Sequence, residues 1–450
     1  MSVTRAVDGS VDGCIDGPID GARRRVAVVG AGVAGLTAAY VLQRECDVTL
    51  YEAEPRLGGH AHTHDVATPD GRVVPIDSGF IVHNLSTYPN LLRLFGELGV
   101  ETQPTDMSMS VRCDGCGLEY AGAKGLGGIF AQSANAANPR FLRMLVEVKR
   151  FHRAARRLLD TGHPDGQEPV GPHGDALTLG DFLATGDYSP YFRQHFMVPL
   201  VSCVWSCAPR TALLYPARSL FTFLDHHGAL SVTGSPSWRT VVGGSRSYVE
   251  RAAKELTATE LSTPVRGVRR TATGIEIRDD DDDVRTFDAA VVATHADDAL
   301  GLLLEPTAAE RATLGAFSSS VNETVLHTDG SVLPTHRRAR ASWNYLLDHC
   351  ASTADEVHVS YDMNRLHRLD ESRDHVVTLN PGARVDATSV LARMRYTHPV
   401  YTAASVSAQA SLPALSRDRL AFAGAYHGWG FHEDGCLSGV RAAAALGVEW

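Results

Sequence analysis

The sequence predicts an α/β fold in which a parallel-sheet domain is interrupted by a second domain of α+β character. Three observations carry this reading. A strand, a glycine turn, a helix and a second strand follow one another between Arg24 and Ala53, which makes a βαβ unit and hence a parallel strand pair. The stretch 111–238 then loses the alternation of strands and helices and is rich in aromatic residues. Strand and helix patterns return at 239–300 and at 412–450. The first domain is therefore expected from 23–110, 239–300 and 412–450, and the second from 111–238 and 301–411. A chain of 450 residues is long enough for two or three such units.

Each element has a local reason. The opening "VDGSVDGCIDGPIDGA" repeats Asp-Gly with few apolar side chains, too few to offset the entropy of ordering, so residues 1–22 are expected to be a flexible tail. The same spacing does not match a calcium loop. "RRVAVV" is a short buried strand, "LTAAYVLQRE" an amphipathic helix and "DVTLYEA" a strand. In "TYPNLLRLFGELG", Pro89 near the start and Gly99 past the end delimit a helix. Farther on, "RSYVERAAKEL" is helical, "TPVRGVRRT", "GIEIRD" and "FDAAVVATHA" are strands, and "RLAFAG" leads through a loop into the helix "LSGVRAAAAL". The acidic run Asp279–Asp283 falls between two strands and is expected as a solvated hairpin tip.

Composition bounds the function. Hydrophobic residues make up 44% and charged residues 21% of the chain, as in ordinary globular proteins. A formal net charge of -10 argues against a nucleic-acid partner, which would need a basic face. No apolar run reaches a membrane span and no secretory h-region opens the chain, so the expectation is cytoplasmic. Eight cysteines at irregular spacing read as reduced thiols.

The chemistry begins at "VVGAGVAGLTAA". Gly30 makes the tight turn, Gly32 lets a pyrophosphate approach the backbone, and Gly35 packs helix against strand. The helix that starts at Val33 and Ala34 offers free N–H groups and a partial positive charge to the phosphates. Glu52 ends the second strand where an acid takes the ribose hydroxyls and disfavours a 2′-phosphate. The predicted domain is thus Rossmann-type and dinucleotide-binding.

Which dinucleotide is decided by the following residues. "EAEPRLGGHAHTHD" (52–65) carries Arg56, Gly58 and Gly59 just beyond the acid. "TFDAAVVATHA" (286–296) reads as a returning strand, and "RLAFAGAYHGWGFHEDGCLSGVRAA" (419–443) as a last strand, loop and helix. In these motifs the chain resembles the flavin-dependent amine oxidase and phytoene desaturase superfamily, and within it an amine-oxidase-like branch of predicted NAD/FAD-binding proteins. The resemblance implies a Rossmann-type FAD-binding domain with non-covalent FAD, since no cysteine stands where some monoamine oxidases attach their flavin. It assigns Ala53, His60, Val265, Ala293, Gly424 and Gly435 to the cofactor beside the residues above. Two positions depart from the family. Ala425 stands where an acid usually holds a ribityl hydroxyl, with Glu433 or Asp434 as the expected substitute, and His60 replaces the arginine that usually follows the second Gly-Gly.

The resemblance further implies hydride transfer between a substrate carbon and flavin N5, on an apolar or lipid-like (fatty acyl) small molecule. A flavin-dependent double-bond isomerase, an amine oxidase and a non-catalytic FAD-binding protein are the alternatives, and NAD(P)H could serve as reductant. "YHGWGFHED" (426–434) is expected at the flavin ring, with Tyr426, Trp429 and Phe431 as walls and Tyr426, His427 and His432 as candidate catalytic residues.

Weaker signals remain. His60, His62 and His64 alternate, but the glycine motif already accounts for them. "CDGC", Cys113–Cys116, could be half a zinc site with Cys203 and Cys207, yet is equally a hairpin turn, and no metal is assigned. The helix expected at 139–160 combines apolar spacing with many basic residues, so it could rest on an anionic membrane surface. The apolar stretch 200–230 reads as core or as the lining of a substrate tunnel. Oligomeric state is not readable.

Overall fold

The computed structural model describes residues 23–161, 169–172, 174–231, 236–351 and 356–450; the Asp-Gly repeat lies outside them. Strands Ala258–Glu260, Cys46–Tyr51, Arg24–Val29, Ala289–Val292 and Leu420–Phe422 lie side by side in that order and all pair in parallel. Residues from three separated stretches therefore share one sheet.

The first strand shows why Val26–Val29 is an unbroken apolar run. Val26 and Val28 face the helices Val33–Leu42 and His432–Ala445. Ala27 and Val29 face an antiparallel meander of Val265–Arg270, Ile275–Asp279 and Val284–Phe287. Both faces of the sheet are covered from Val26 on, so Val26–Val29 must all be apolar, while Arg24 and Arg25 lie at its less covered start. The Asp279–Asp283 run turns between the second and third meander strands, as expected.

Helix Val33–Leu42 corrects one expectation. It was expected to be amphipathic, but every residue except Tyr40 is buried. The cause is the helix His432–Ala445, which lies across it: a Cβ at Gly439 would sit 2.3 Å from the Ala34 carbonyl oxygen. Helix Pro89–Leu98 ends at Gly99 with φ 65°, the left-handed geometry that glycine adopts without a Cβ clash.

A second sheet has seven strands, ordered Val390–Val400, Ser318–His327, Val376–Leu379, Val359–Asp362, Trp343–Leu347, Met109–Cys113 and Leu118–Ala121. The parallel pair formed by Met109–Cys113 and Trp343–Leu347 joins two stretches far apart in the chain. Helices packed against this sheet share a core containing Phe141, Phe151, Phe192 and Phe221. "PYFRQHFMVPLVSCVW" is helical throughout, with one π turn at Arg193–Met197.

Helix Pro139–Asp160 buries Phe141, Met144, Phe151 and Ala155 in that core. Its apolar stripe is thus already occupied, and Arg143 and Arg156 pair with Glu147 and Asp225. Among the described residues no helix is long and apolar enough to cross a membrane.

Candidate active site

Gly30 closes the first strand at φ +98° and donates its N–H to Tyr51 O over 2.9 Å. A Cβ on Gly35 would lie 1.8 Å from the Gly30 carbonyl oxygen, so strand and helix can meet only through glycine. Gly32 differs, because a Cβ there would meet nothing within 4 Å. No protein atom requires that glycine, which is what a position reserved for a ligand's close approach looks like. Gly32 caps the helix without a side-chain partner, so the N–H groups of Val33, Ala34 and Gly35 point outward from a positive helix end.

The second glycine segment folds onto this turn. Gly58 donates to Ala31 O at 2.8 Å, and a Cβ on Gly59 would come within 3.1 Å of Gly32 Cα. Arg56 donates to Gly59 O at 2.8 Å and pairs with Glu54. Glu52 stands at the rim, its carboxylate accepting from the N–H of Ala31 at 2.8 Å and of Glu54 at 2.9 Å. Glu52 O also accepts from Thr263 N, which brings Val265, two residues on, to the same side; Ala53 is exposed there.

The later segments close the cleft. Ala293 N donates to Val29 O, Ala423 N to Val292 O, and Gly424 N to Ser438 Oγ. Gly30, Ala293 and Gly424 therefore lie together at the carboxyl ends of three neighbouring parallel strands, where open α/β sheets bind ligands. A Cβ at Gly435 would strike Val33 Cγ1 at 2.6 Å. The donor set of open helical N–H groups, a bare Gly32 and a rim carboxylate fits a dinucleotide pyrophosphate and its ribose.

Glu433 and Asp434, the expected substitutes for the missing acid at Ala425, both accept from backbone N–H groups. Glu433 accepts from Asn90 N, Asn90 Nδ2 and Leu91 N at 2.6–3.0 Å, capping the helix Pro89–Leu98. Asp434 accepts from Phe431 N at 2.9 Å and caps its own helix. Burial pushes the Asp434 carboxyl up to about 7. Backbone N–H groups have claimed both carboxylates.

Of the three residues expected to be catalytic, Tyr426 and His427 have their rings 4.8 Å apart, while His432 packs against other partners. Tyr426 is buried against Phe317, at 5.3 Å between rings, in the layer beneath the parallel sheet. His427 Nε2 is buried without a hydrogen-bond partner. His432 stacks on Phe80 at 3.6 Å and meets Tyr248 Oη at 3.0 Å. Nor are these histidines poised near neutrality, because burial pulls His427 down to about 4 and His432 to about 3. Burial thus favours the neutral imidazole at both positions.

The histidine that gathers partners is His60. Its ring lies 4.9 Å from Tyr396, 5.3 Å from His398 and 6.3 Å from His295. Tyr396 Oη hydrogen-bonds with Ser78 Oγ at 2.6 Å and His62 Nδ1 at 3.1 Å, and His64 Nε2 joins through Ser78. Burial holds His60 well below its ordinary value and His398 at about 4. Asn322 Nδ2 approaches His398 Nδ1 at 3.0 Å and donates to Ser206 O, next to Trp205. Trp205 Nε1 donates to Trp429 O, and Phe431 stacks on Phe223 at 4.7 Å. Trp205 and Phe223 fall in the stretch 200–230 that the sequence offers as a possible tunnel lining, whereas His295, Tyr396 and His398 carry no assignment there. The signal available was the period-2 spacing in "YTHPVY", which puts Tyr396 and His398 on one strand face.

The cysteines pair differently from the expectation. Cys203 and Cys207 are buried in the helical core, while Cys350 and His195 stand at the Cys113–Cys116 turn.

Comparison with known proteins agrees with the cleft. The family model for flavin containing amine oxidoreductase matches residues 33–447. A carotenoid phi-ring synthase of Streptomyces griseus is 31% identical over 281 residues, 60% of this chain and 52% of that one; the chain spans about half the length of the curated relatives it matches. Cyclohexylamine oxidase from Brevibacterium oxydans IH-35A superposes with a TM-score of 0.66 at 18% identity, covering 94% of this chain and 98% of that one. A CLA-producing fatty acid isomerase from P. acnes gives 0.64 at 16% identity, covering 92% and 97%. A parallel sheet with glycine segments converging at its carboxyl ends, matched over nearly the whole chain by one family model, makes this protein a member of the flavin-containing amine oxidoreductase family, an FAD-dependent oxidoreductase.

Proposed function

We propose that this chain catalyses hydride transfer between flavin N5 and a carbon of an apolar, lipid-like substrate such as a fatty acyl chain. The observation that carries this reading is the neutrality of the chamber around His60. His60, His398 and His432 are held uncharged by burial, and Trp205, Phe223 and Phe431 form an apolar cluster joined to them through Asn322, which meets His398 and Ser206 O. The two acids at the start of the last helix are capped by backbone N–H groups. A protonated amine would find no free carboxylate among them, whereas an uncharged hydrocarbon would lose nothing on desolvation. The name of the carotenoid-related relative points the same way.

Bound at the cleft, FAD supplies the hydride-accepting centre. The chain's own groups do the rest. Val33, Ala34 and Gly35 N–H bind phosphate, Glu52 holds ribose hydroxyls, the aromatic wall excludes water, and the Ser78–Tyr396–His62 network fixes the ring of Tyr396 beside His60.

The test is anaerobic bleaching of the flavin absorbance by fatty acyl compounds, cyclohexylamine and NADPH in parallel. Bleaching by an acyl chain, with an oxidised product, supports the proposal. Rapid bleaching by the amine alone assigns an amine oxidase, and conversion of an acyl chain without any acceptor assigns an isomerase.

A further inference from the structure

The geometry points to a structural zinc site formed by Cys113, Cys116, His195 and Cys350. Their ligand atoms all lie within 4.8 Å of one another, the one such group of metal-ligating type among the described residues. Cys113 Sγ is 3.8 Å from Cys350 Sγ, and Cys116 Sγ is 3.6 Å from His195 Nε2. A tetrahedral zinc with Zn–S of about 2.3 Å and Zn–N of about 2.0 Å requires S···S edges of about 3.8 Å and S···N edges of about 3.5 Å. These two edges match to within about 0.1 Å, and the remaining ones stay within 4.8 Å.

The surroundings fit a metal better than a chance cluster of thiols. His195 Nδ1 lies 3.1 Å from Tyr191 O, which fixes the proton on Nδ1 and turns the Nε2 lone pair to the sulfurs, as second-shell partners of zinc histidines do. His195 sits in the π turn at Arg193–Met197, a local widening often found where a helix must aim a side chain at a site. Tyr120 Oη donates to His195 O at 2.7 Å and holds that turn against the Leu118–Ala121 strand. On the opposite side the Cys113–Cys116 hairpin tip is pressed onto the loop after Trp343–Leu347. Asp114 N donates to Leu347 O at 2.8 Å, and a Cβ at Gly115 would be 2.9 Å from His349 Cα.

Three thiolates and an imidazole favour zinc over magnesium or calcium, which take oxygen. With four protein ligands the site is closed, so its role is structural. It would tie a hairpin, a helix and a loop whose cysteines are 237 positions apart. Each thiol loses its proton to solvent on binding, and no electron moves. The proposal is independent of the substrate reading.

The protein, purified without chelator or affinity histidines, should contain about one zinc per chain by plasma mass spectrometry. Cys350→Ser should lower this roughly tenfold or more, while Cys350→His restores it, with flavin content read from the same samples. If Cys350→Ser fails to fold, exchange of the wild-type metal for cobalt decides, since tetrahedral thiolate ligation gives intense visible bands. Absence of zinc, no uptake of added zinc or cobalt, and three readily alkylated thiols, or a Cys113–Cys350 disulfide after mild oxidation of fresh protein, would overturn the site.

Discussion

The nucleotide cleft and the chamber around His60 adjoin, yet they are built by opposite means. The cleft is mostly backbone: glycines at 30, 32, 35, 58 and 59 and the bare end of one helix, with the Glu52 carboxylate at its rim. The chamber is mostly side chain, contributed by His60 and Phe431 from loops, Trp205 and Phe223 from helices, and Tyr396 and His398 from the seven-stranded sheet. A backbone site is written in short contiguous motifs and tolerates little change. A side-chain site is dispersed and free to alter its specificity.

The largest expected effect separates two glycines of one turn. Gly35→Val should yield no flavin-loaded protein, because its Cβ cannot coexist with Gly30 O. Gly32→Val meets no protein atom, so it should fold with an unchanged melting temperature yet bind flavin about 100-fold more weakly, about 2.7 kcal/mol. Full flavin retention in Gly32→Val by absorption spectroscopy would break the comparison at its root.

On the chamber side, Phe431→Ala removes a stacked ring and should raise KM for an acyl substrate by roughly tenfold, consistent with about 1–1.5 kcal/mol for an aromatic pair. Its flavin content should not change, and steady-state kinetics with a flavin assay read both. Glu433→Ala tests the boundary between the two regions. If Glu433 caps the helix Pro89–Leu98, the variant loses about 1–2 kcal/mol of stability in denaturant melts with the flavin spectrum intact. Loss of flavin without loss of stability would restore the ribityl role instead.

A last test is in pH. His398 and His432 have folded values near 4 and 3 against an ordinary 6.5. Below 6.5 the unfolded chain binds protons that the folded chain does not, so stability is full above 6.5 and falls as pH drops toward 4. Melting temperature should decline across that window, and the rate profile between pH 6 and 8 should show no limb from these two histidines.

Much of the fold was legible because its parts are local. The run "RRVAVV" followed by Gly30, Gly32 and Gly35 specifies strand, turn and helix within a dozen residues, and the returning strands are apolar enough to be recognised alone. The burial of helix Val33–Leu42 was not legible, since the face that looked free is covered by residues 435 and 439. At the site, Glu52 could be placed by its distance from the turn, whereas Glu433 and Asp434 could not, because which N–H groups they cap depends on where Asn90 and Phe431 come to lie. Cys113 and Cys116 were visible as a pair, but Cys350 joins them through a parallel strand pairing and His195 through a helix turn held by Tyr120, neither of which periodicity can reveal.

One contact bears on how the molecule comes into being. Thr37 Oγ1 reaches Cys436 Sγ across a separation of 399 residues, where the first helix is clasped by the last. During synthesis at about 5–20 residues per second, that oily helix must wait some tens of seconds for its cover. Loading of the cofactor is consequently a late event, and the nascent amino-terminal portion is a natural client for whatever shields greasy surfaces in the cell.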